Sequence, residues 1–411
     1  MTADASVRFI HAAALPLGKV FSGLSTLDRQ ADLARAVGDT YDALIDLALT
    51  ERVDFLILAG DTFDTMSVPY ATHRRFLAGV ERLDEAGIRV YMVAGNHDPL
   101  VSWDKRLDTL PGNVHMFPTD AVERVAHTRD DETIAHLYGR SYLMQSEPEN
   151  FAVGYRRGGD DTFAIGVLHT SVVDADAYAP CTPEDLRVAG MDYWALGHIH
   201  KRGEMLADPP AIQCGSPQGL NVNERSAHGV YLVERSAGGA VRTTFVPLAR
   251  VTWEHLPVDI SGARSVEDVR SILLDAGRAA IAGAQGPVGG RAFLTGESDL
   301  HGELDPPTLE ALAAEVNRVL NEPGAWLTLD SVVDRSRLAV DLDDLAVEGS
   351  FAQVVVDELD ALSAAADLPD DLREQLIRQT GAIAARDQAP YEEILDRART
   401  RIVDALSGGA L

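Results

Sequence analysis

Three short clusters carry side chains suited to a divalent metal: Gly60-Asp61-Thr62-Phe63-Asp64, Gly95-Asn96-His97-Asp98 and Gly197-His198-Ile199-His200, with His169 alone between the last two. Asp61 offers a hard anionic oxygen able to bridge two ions. Asn96 offers a neutral carbonyl oxygen, and His169, His198 and His200 offer imidazole nitrogens. Mixed nitrogen and oxygen ligation fits manganese, iron or zinc better than magnesium or calcium. His198 and His200 are two apart, so in an extended segment they face one side. Two ions about 3.5–4 Å apart can activate a water and hold the phosphoryl oxygens of an in-line displacement. Each piece alone has a plainer reading: Gly-Asp after a strand is a turn, Asn-His-Asp a loop with an Asx turn, His-x-His a pair of surface histidines. The specificity lies in their order along the chain, each behind an apolar run. His73, His115, His127, His136, His228, His255 and His301 read as satisfied or surface residues.

Those apolar runs are the elements that must position the clusters. VRFIHAA (7–13), DFLILAGD (54–61), IRVYMVAGNHD (88–98), FAIGVLH (163–169) and YWALGH (193–198) read as strands ending in the polar groups. GVYLVE (229–234) and VRTTFVPL (241–248) read as further strands. Between the first strands, Leu27, Ala31, Ala34, Val37, Tyr41, Leu44, Ile45 and Ala48 recur at helical spacing behind Ser25, and Phe76 to Ala86 reads as a second helix. Strand–helix–strand–helix–strand implies parallel pairing in a buried sheet, and ligands bind at the carboxyl edge of such sheets. The stretch 100–160 carries no clear pattern.

A boundary is expected near residue 250, giving a first domain over 1–250. A small α+β domain with a split βαβ character follows over 251–345: strand WEHLPVDI, helix 265–282, strand RAFLTGE, helix 307–320, strand 326–334. From 346 to 411 the chain reads as a helical segment, with stripes such as Phe351, Val355, Leu359 and Leu362.

The net charge of −28 and the presence of only Lys19, Lys105 and Lys201 among lysines leave no global basic footprint. Nucleic-acid contact would then be local and metal-assisted, or a partner would supply the basic surface; most of the acids read as surface solvation. No apolar run is long enough for a membrane span, and the first residues lack a basic leader pattern. Cys181 and Cys214 form no paired motif. Together these predict a reduced, cytoplasmic protein.

Taken together, the clusters resemble the calcineurin-like metallophosphoesterases, and within them the SbcD-type DNA repair exonucleases. The chain also resembles a bacterial YhaO-like branch, through APCTPEDLRVAGMDYWALGHIHKRGEM (179–205), GSPQGLNVNE (215–224), VTWEHLPVDISG and LTGESDLHGEL. The resemblance implies an α/β fold in which a metallophosphoesterase β-sandwich is flanked by helices. It assigns Asp61 as the bridging carboxylate, with Asn96, His169 and His198 completing one metal site and His200 belonging to the other. His97 would stabilise or protonate the leaving-group oxygen, oriented by Asp98, while Asp64 would cap a helix. Manganese would be the first candidate ion, an SMC-like coiled-coil ATPase of the SbcC type and DNA the partners, with a homodimer left open and the helical tail as the ATPase-docking segment.

The family opens with Asp-x-His at the end of the first strand, where this chain reads His11-Ala12-Ala13-Ala14-Leu15-Pro16-Leu17. By that alignment Ala14 and Pro16 replace both residues, and both losses fall on one ion, which keeps only Asp61 and His200. A catalytic zinc site keeps three protein ligands as a rule. One tightly held ion and a weak or absent second are therefore expected. The functions open are a DNA nuclease, a catalytically silent subunit that binds the ATPase or DNA ends, and a small-molecule phosphatase.

Overall fold

A computed structural model describes residues 6–15, 17–19, 30–63, 68–172, 178–284, 286–300, 303–323, 325–337 and 349–363. The chain falls into two compact units, Met1–Glu254 with short pieces 284–289 and 324–326, and the remainder.

In the first unit the order is β1 (Val7–Ala12), α1 (Gln30–Glu51), β2 (Phe55–Ala59), α2 (Tyr70–Glu85), β3 (Arg89–Val93), α3 (Asp104–Leu107), β4 (Val114–Met116), β5 (Glu123–Arg129), β6 (Glu132–Gly139), β7 (Ala164–His169), α4 (Pro183–Val188), β8 (Tyr193–Gly197), β9 (Gly203–Ala207), β10 (Pro210–Gln213), β11 (Gly229–Arg235) and β12 (Val241–Pro247). Two six-stranded sheets result, ordered β12-β11-β1-β2-β3-β4 and β5-β6-β7-β8-β10-β9. Strands β1 to β4 pair parallel, as the strand–helix alternation requires, and β11 closes antiparallel onto β1. In the second sheet β6, β7, β8 and β10 run parallel, with β5 and β9 antiparallel at the edges.

Strand β2 shows why its sequence is apolar throughout. Alternate side chains leave opposite faces: Phe55, Ile57 and Ala59 enter the core between the sheets, while Leu56 and Leu58 pack on the helical side. Phe9, Phe55 and Tyr91 from the first sheet meet Leu137, Ile165 and Tyr193 from the second. Phe9 stacks on Phe55 at 4.9 Å and meets Tyr193 edge-on at 5.5 Å. Each such side chain contributes about 1.5–3 kcal/mol by burial, so this seam fixes how the two sheets face each other. Helices α1 and α2 cover the first sheet through Val37, Leu44, Phe76 and Val80. On the outer face of the second, Leu186 of α4 packs with Trp194 and Leu168. The expected sandwich flanked by helices is thus the architecture.

Helix α2 starts at Tyr70, earlier than the periodicity of 76–86 suggests. Its first turn buries no side chain, the first buried residue being Phe76, so no apolar stripe marks it. The 100–160 stretch holds β4, β5 and β6. Thr182 caps α4, accepting from Asp185 N–H while the Asp185 carboxylate accepts from Thr182 N–H.

The second unit carries a four-stranded sheet, β13 (Thr252–Asp259), β14 (Val288–Thr295), β16 (Ala325–Asp334) and β15 (Asn321–Glu322) in that order, with α5 (Val266–Gly283) and α6 (Pro306–Val319). Strands β13 and β14, joined by α5, are immediate neighbours, so no strand is inserted between them and the split βαβ reading is corrected. Of the helical segment expected over 346–411, α7 (Phe351–Ser363) is described and residues 364–411 lie outside the described residues. No described helix is long and apolar enough to cross a membrane.

Candidate metal centre

The site forms where β2 and β3 of one sheet and β7 and β8 of the other end. At three strand ends the backbone turns sharply aside: Ala14, Asp61 and His198 hold φ of 46°, 52° and 101°. A non-glycine residue in that region costs about 1–2 kcal/mol, and such strain collects where a side chain must be aimed. Close packing demands the glycines beside them. A Cβ on Gly95 would lie 2.8 Å from Asp61 N, and one on Gly197 would collide with the Ala59 carbonyl oxygen.

Four donor atoms converge. Asn96 Oδ1 lies 2.9 Å from His169 Nε2 and 3.2 Å from His198 Nδ1, and Asp61 Oδ2 lies 3.3 Å from His169 Nε2. The ligand atoms of Asp61, His169 and His198 all lie within 4.8 Å of one another. Metal–ligand bonds of about 2.1 Å set at right angles leave neighbouring donors about 3.0 Å apart, so this cluster has the spacing of a coordination shell.

His169 Nδ1 donates to the Ala59 carbonyl at 2.9 Å. A carbonyl can only accept, so Nδ1 carries a proton and Nε2 turns toward two oxygens that are themselves acceptors. Only a proton or a cation among them makes that arrangement favourable. A ligating histidine anchored through its other nitrogen is the usual outer-shell device. The residues therefore fit a divalent ion of the mixed-donor kind. The rings are held by packing: Tyr142 meets His169 edge-on at 5.3 Å, Tyr178 lies over His198 at 4.8 Å, and His169 and His198 meet at 5.2 Å.

The charges agree with this. Burial pushes the Asp61 carboxyl up, but the His169 charge and then His97 outweigh it and bring it down to about 2. Burial opposes charge on His169, and Asp61 outweighs it, so His169 is raised.

Asp98 is fully buried, and its Oδ1 accepts from Asp61 N–H at 3.1 Å and Gly95 N–H at 2.9 Å, its Oδ2 from Phe63 N–H at 3.2 Å. It ties the loop after β2 to the loop after β3. Burial, then the Asp61 charge, push it up to about 7 against the pull of those amides. His97 is half-buried, and its backbone N–H donates to Asp61 Oδ1 at 2.9 Å, which sets it beside that carboxylate.

The expectation that His198 and His200 share one side is corrected. The positive φ of His198 takes the chain out of the extended state, and His200 turns to Glu224, donating Nδ1–H to Oε1 at 3.3 Å. Glu224 also accepts from Leu220 N–H at 3.0 Å and Asn221 Nδ2 at 2.8 Å. Burial raises its carboxyl, but the His200 bond prevails and lowers it. Glu224 was not foreseen. In the sequence it only closes Asn221-Val222-Asn223-Glu224, and nothing local ties it to His200.

Ala14 is buried and donates its N–H to Gly60 O at 2.9 Å. Pro16, Asp64, expected as a helix cap, and His301 lie outside the described residues. His11 is committed elsewhere: it donates Nε2–H to Leu196 O at 3.2 Å and accepts at Nδ1 from the Tyr193 hydroxyl at 3.0 Å. Cys181 and Cys214 are buried and unpaired.

Residues 29–202 match the calcineurin-like phosphoesterase family. Within the first unit, residues 29–202 form a calcineurin-like phosphoesterase domain. Residues 253–337 match the middle domain of the metallophosphoesterase YhaO. Over 271 residues the chain is 38% identical to the uncharacterized metallophosphoesterase YhaO of Bacillus subtilis, covering 63% of this chain and 64% of that protein. It is 28% identical over 293 residues to the DNA double-strand break repair protein Mre11 of Methanopyrus kandleri, covering 64% and 62%. It is 26% identical over 276 residues to the SbcD subunit of the SbcCD nuclease of Escherichia coli K12, covering 56% and 66%. The chain thus spans less than two thirds of the length of each relative. Within the phosphoesterase domain, the converging donors come from all three motif clusters and from His169.

Proposed function

We propose that this chain is a metal-dependent phosphodiesterase acting on DNA, the nuclease subunit of a repair complex with an SMC-like coiled-coil ATPase. We further propose that it works with one tightly held ion, manganese first, on Asp61, Asn96, His169 and His198. The observation that carries the reading is the convergence of those four donors at coordination spacing. The relatives named as a nuclease subunit and as a double-strand break repair protein support DNA as the substrate.

An ion held there supplies positive charge to the phosphoryl oxygens and acidifies a bound water. The protein's own residues do the remaining work. Asp61 and Asp98 lock the two loops together. His97, pinned through its backbone to Asp61, presents a proton to the leaving oxygen. Glu224 accepts a hydrogen bond from His200 and fixes the direction of its ring. The net charge of −28 repels DNA, so contact is confined to the metal centre and to whatever basic surface the ATPase supplies.

A second reading, a subunit that binds without cutting, is favoured by Ala14. Its backbone turns aside as Asp61's does, yet its methyl group offers no donor, and with Pro16 it weakens the second ion's shell. The test compares the natural chain with Ala14→Asp plus Pro16→His in manganese on linear DNA. The same pair is assayed on a simple aryl phosphodiester and its monoester. Slow cleavage of DNA and diester that the double variant accelerates supports the one-ion enzyme. No cleavage by either supports the silent subunit, and cleavage of the monoester alone makes the chain a phosphatase.

A further inference from the structure

At the opposite end of the sandwich from the metal centre, Asp54 precedes β2, Arg89 opens β3 and Arg129 ends β5. A cleft of about 360 Å³ lies between them, lined also by Arg52, Ile88 and His127. That volume falls within the range of small-molecule sites, about 300–1,000 Å³. Asp54 and Asp61 are seven positions apart, so at about 3.3 Å per residue the cleft is roughly 20 Å from the metal centre.

The charge lining this cleft is opposite in sign to that of the chain as a whole. In a chain of net charge −28, three guanidinium groups ring one cleft against a single lining carboxylate. Arg129 already neutralises that carboxylate, meeting Asp54 Oδ1 at 2.9 Å. Arg8, Arg75, Arg82, Arg140 and Arg157 each have an acidic partner. Arg52 and Arg89 have none among the described residues, although both are exposed and free to form one. The cleft therefore keeps two uncompensated positive charges. Beneath them Val53 and Ile88, 3% and 5% exposed, form an apolar floor.

His127 lines the same cleft, with Nδ1 3.0 Å from the Tyr91 hydroxyl. Burial first, then the charges of Arg89 and Arg129 against that of Asp54, bring its imidazole down to about 4. It is neutral near pH 7, an uncharged polar edge beside the floor. Forked guanidinium groups suit phosphate oxygens, and an apolar floor with a neutral ring suits a planar organic body.

We propose that this cleft binds a phosphate monoester of mononucleotide size, the phosphate on Arg52 and Arg89 and the organic body against Val53, Ile88 and His127. Such a site, remote from the metal centre, would let a nucleotide released by hydrolysis report back on the enzyme.

The test is isothermal titration of the full chain with the four nucleoside monophosphates, the parent nucleosides and inorganic phosphate, at fixed ionic strength. At least one nucleotide is expected to bind more tightly than its nucleoside and than phosphate. Replacing Arg52 and Arg89 together by Ser should weaken it by about tenfold for each guanidinium removed, while Arg89→Lys, which keeps the charge and loses the fork, should fall between. Asp61→Asn should leave this binding unchanged, and unfolding curves confirm that the surface variants fold. Binding that survives Arg52→Ser/Arg89→Ser and vanishes in Asp61→Asn places the nucleotide in the metal centre and overturns the proposal. So does phosphate binding as tightly as every nucleotide, or no binding by any of them.

Discussion

Replacing Asp98 by Ala tests how the two loops that carry Asp61 and Asn96 are joined. The carboxylate accepts three backbone N–H bonds, two on Oδ1 from Gly95 and Asp61 and one on Oδ2 from Phe63. All three donors are buried, and each left without an acceptor costs about 1–3 kcal/mol. Part of that returns because the charged carboxylate is itself costly to bury, as its rise to about 7 records. A net loss of about 3 kcal/mol follows, which for a unit of this size lowers Tm by about 6–12 °C. Asp98→Asn keeps the oxygen that serves Gly95 and Asp61 but turns an N–H toward Phe63 N–H, and should lose about half as much. Thermal unfolding in chelator, which removes any contribution from bound ions, measures both. An alanine variant within about 1 kcal/mol of the natural chain, or an asparagine variant as damaged as the alanine one, refutes the claim that Asp98 acts as a backbone clasp.

Gly197→Ala places a methyl group against the Ala59 carbonyl oxygen, a backbone atom that cannot move without displacing β2. A loss of at least about 3 kcal/mol by denaturant titration is expected, and a variant as stable as the natural chain contradicts the packing described. His11 is held down to about 3 by burial, against the raising effect of its bond to Leu196. It is neutral in the fold and takes up a proton on unfolding in acid, so its contribution is whole above pH 6.5 and is lost as pH falls toward 3. Between pH 7 and pH 5 the natural chain should lose about 2 kcal/mol more than His11→Gln. That variant's amide can donate to Leu196 O and accept from Tyr193 without titrating. Equal pH dependence of the two chains would remove this assignment.

The site was largely legible because its residues follow apolar runs whose character is set by burial on both faces. Phe55–Ala59 and Arg89–Val93 read as strands, and the structure pairs them in parallel register from Phe55 opposite Arg89. What was hidden has physical reasons. Strand β5, ERVAHTR, lies at an edge and alternates half-buried Glu123 and Val125 with exposed Arg124 and Ala126, so no apolar run marks it. Strand β9, GEMLA, is the other edge of that sheet and buries only Leu206. The His198–His200 spacing misled because one backbone angle, φ of 101° at His198, rotates the second ring away. Such an angle is set by packing at the end of β8. Glu224 reaches His200 across 24 positions of sequence, a contact that only the fold creates. Asp98 was legible as a residue of the motif, while its three amide partners depend on two loops meeting.

The central claim is that Asp61, Asn96, His169 and His198 hold one divalent ion. Its most direct measurement is a manganese titration of chelator-stripped protein, reading bound ion per chain by equilibrium dialysis, for the natural chain and for His169→Ala. A single tight ion is expected in the natural chain, with an affinity at least about 100-fold weaker in the variant. Two tight ions per chain, or a single ion held equally well without the His169 imidazole, would contradict it.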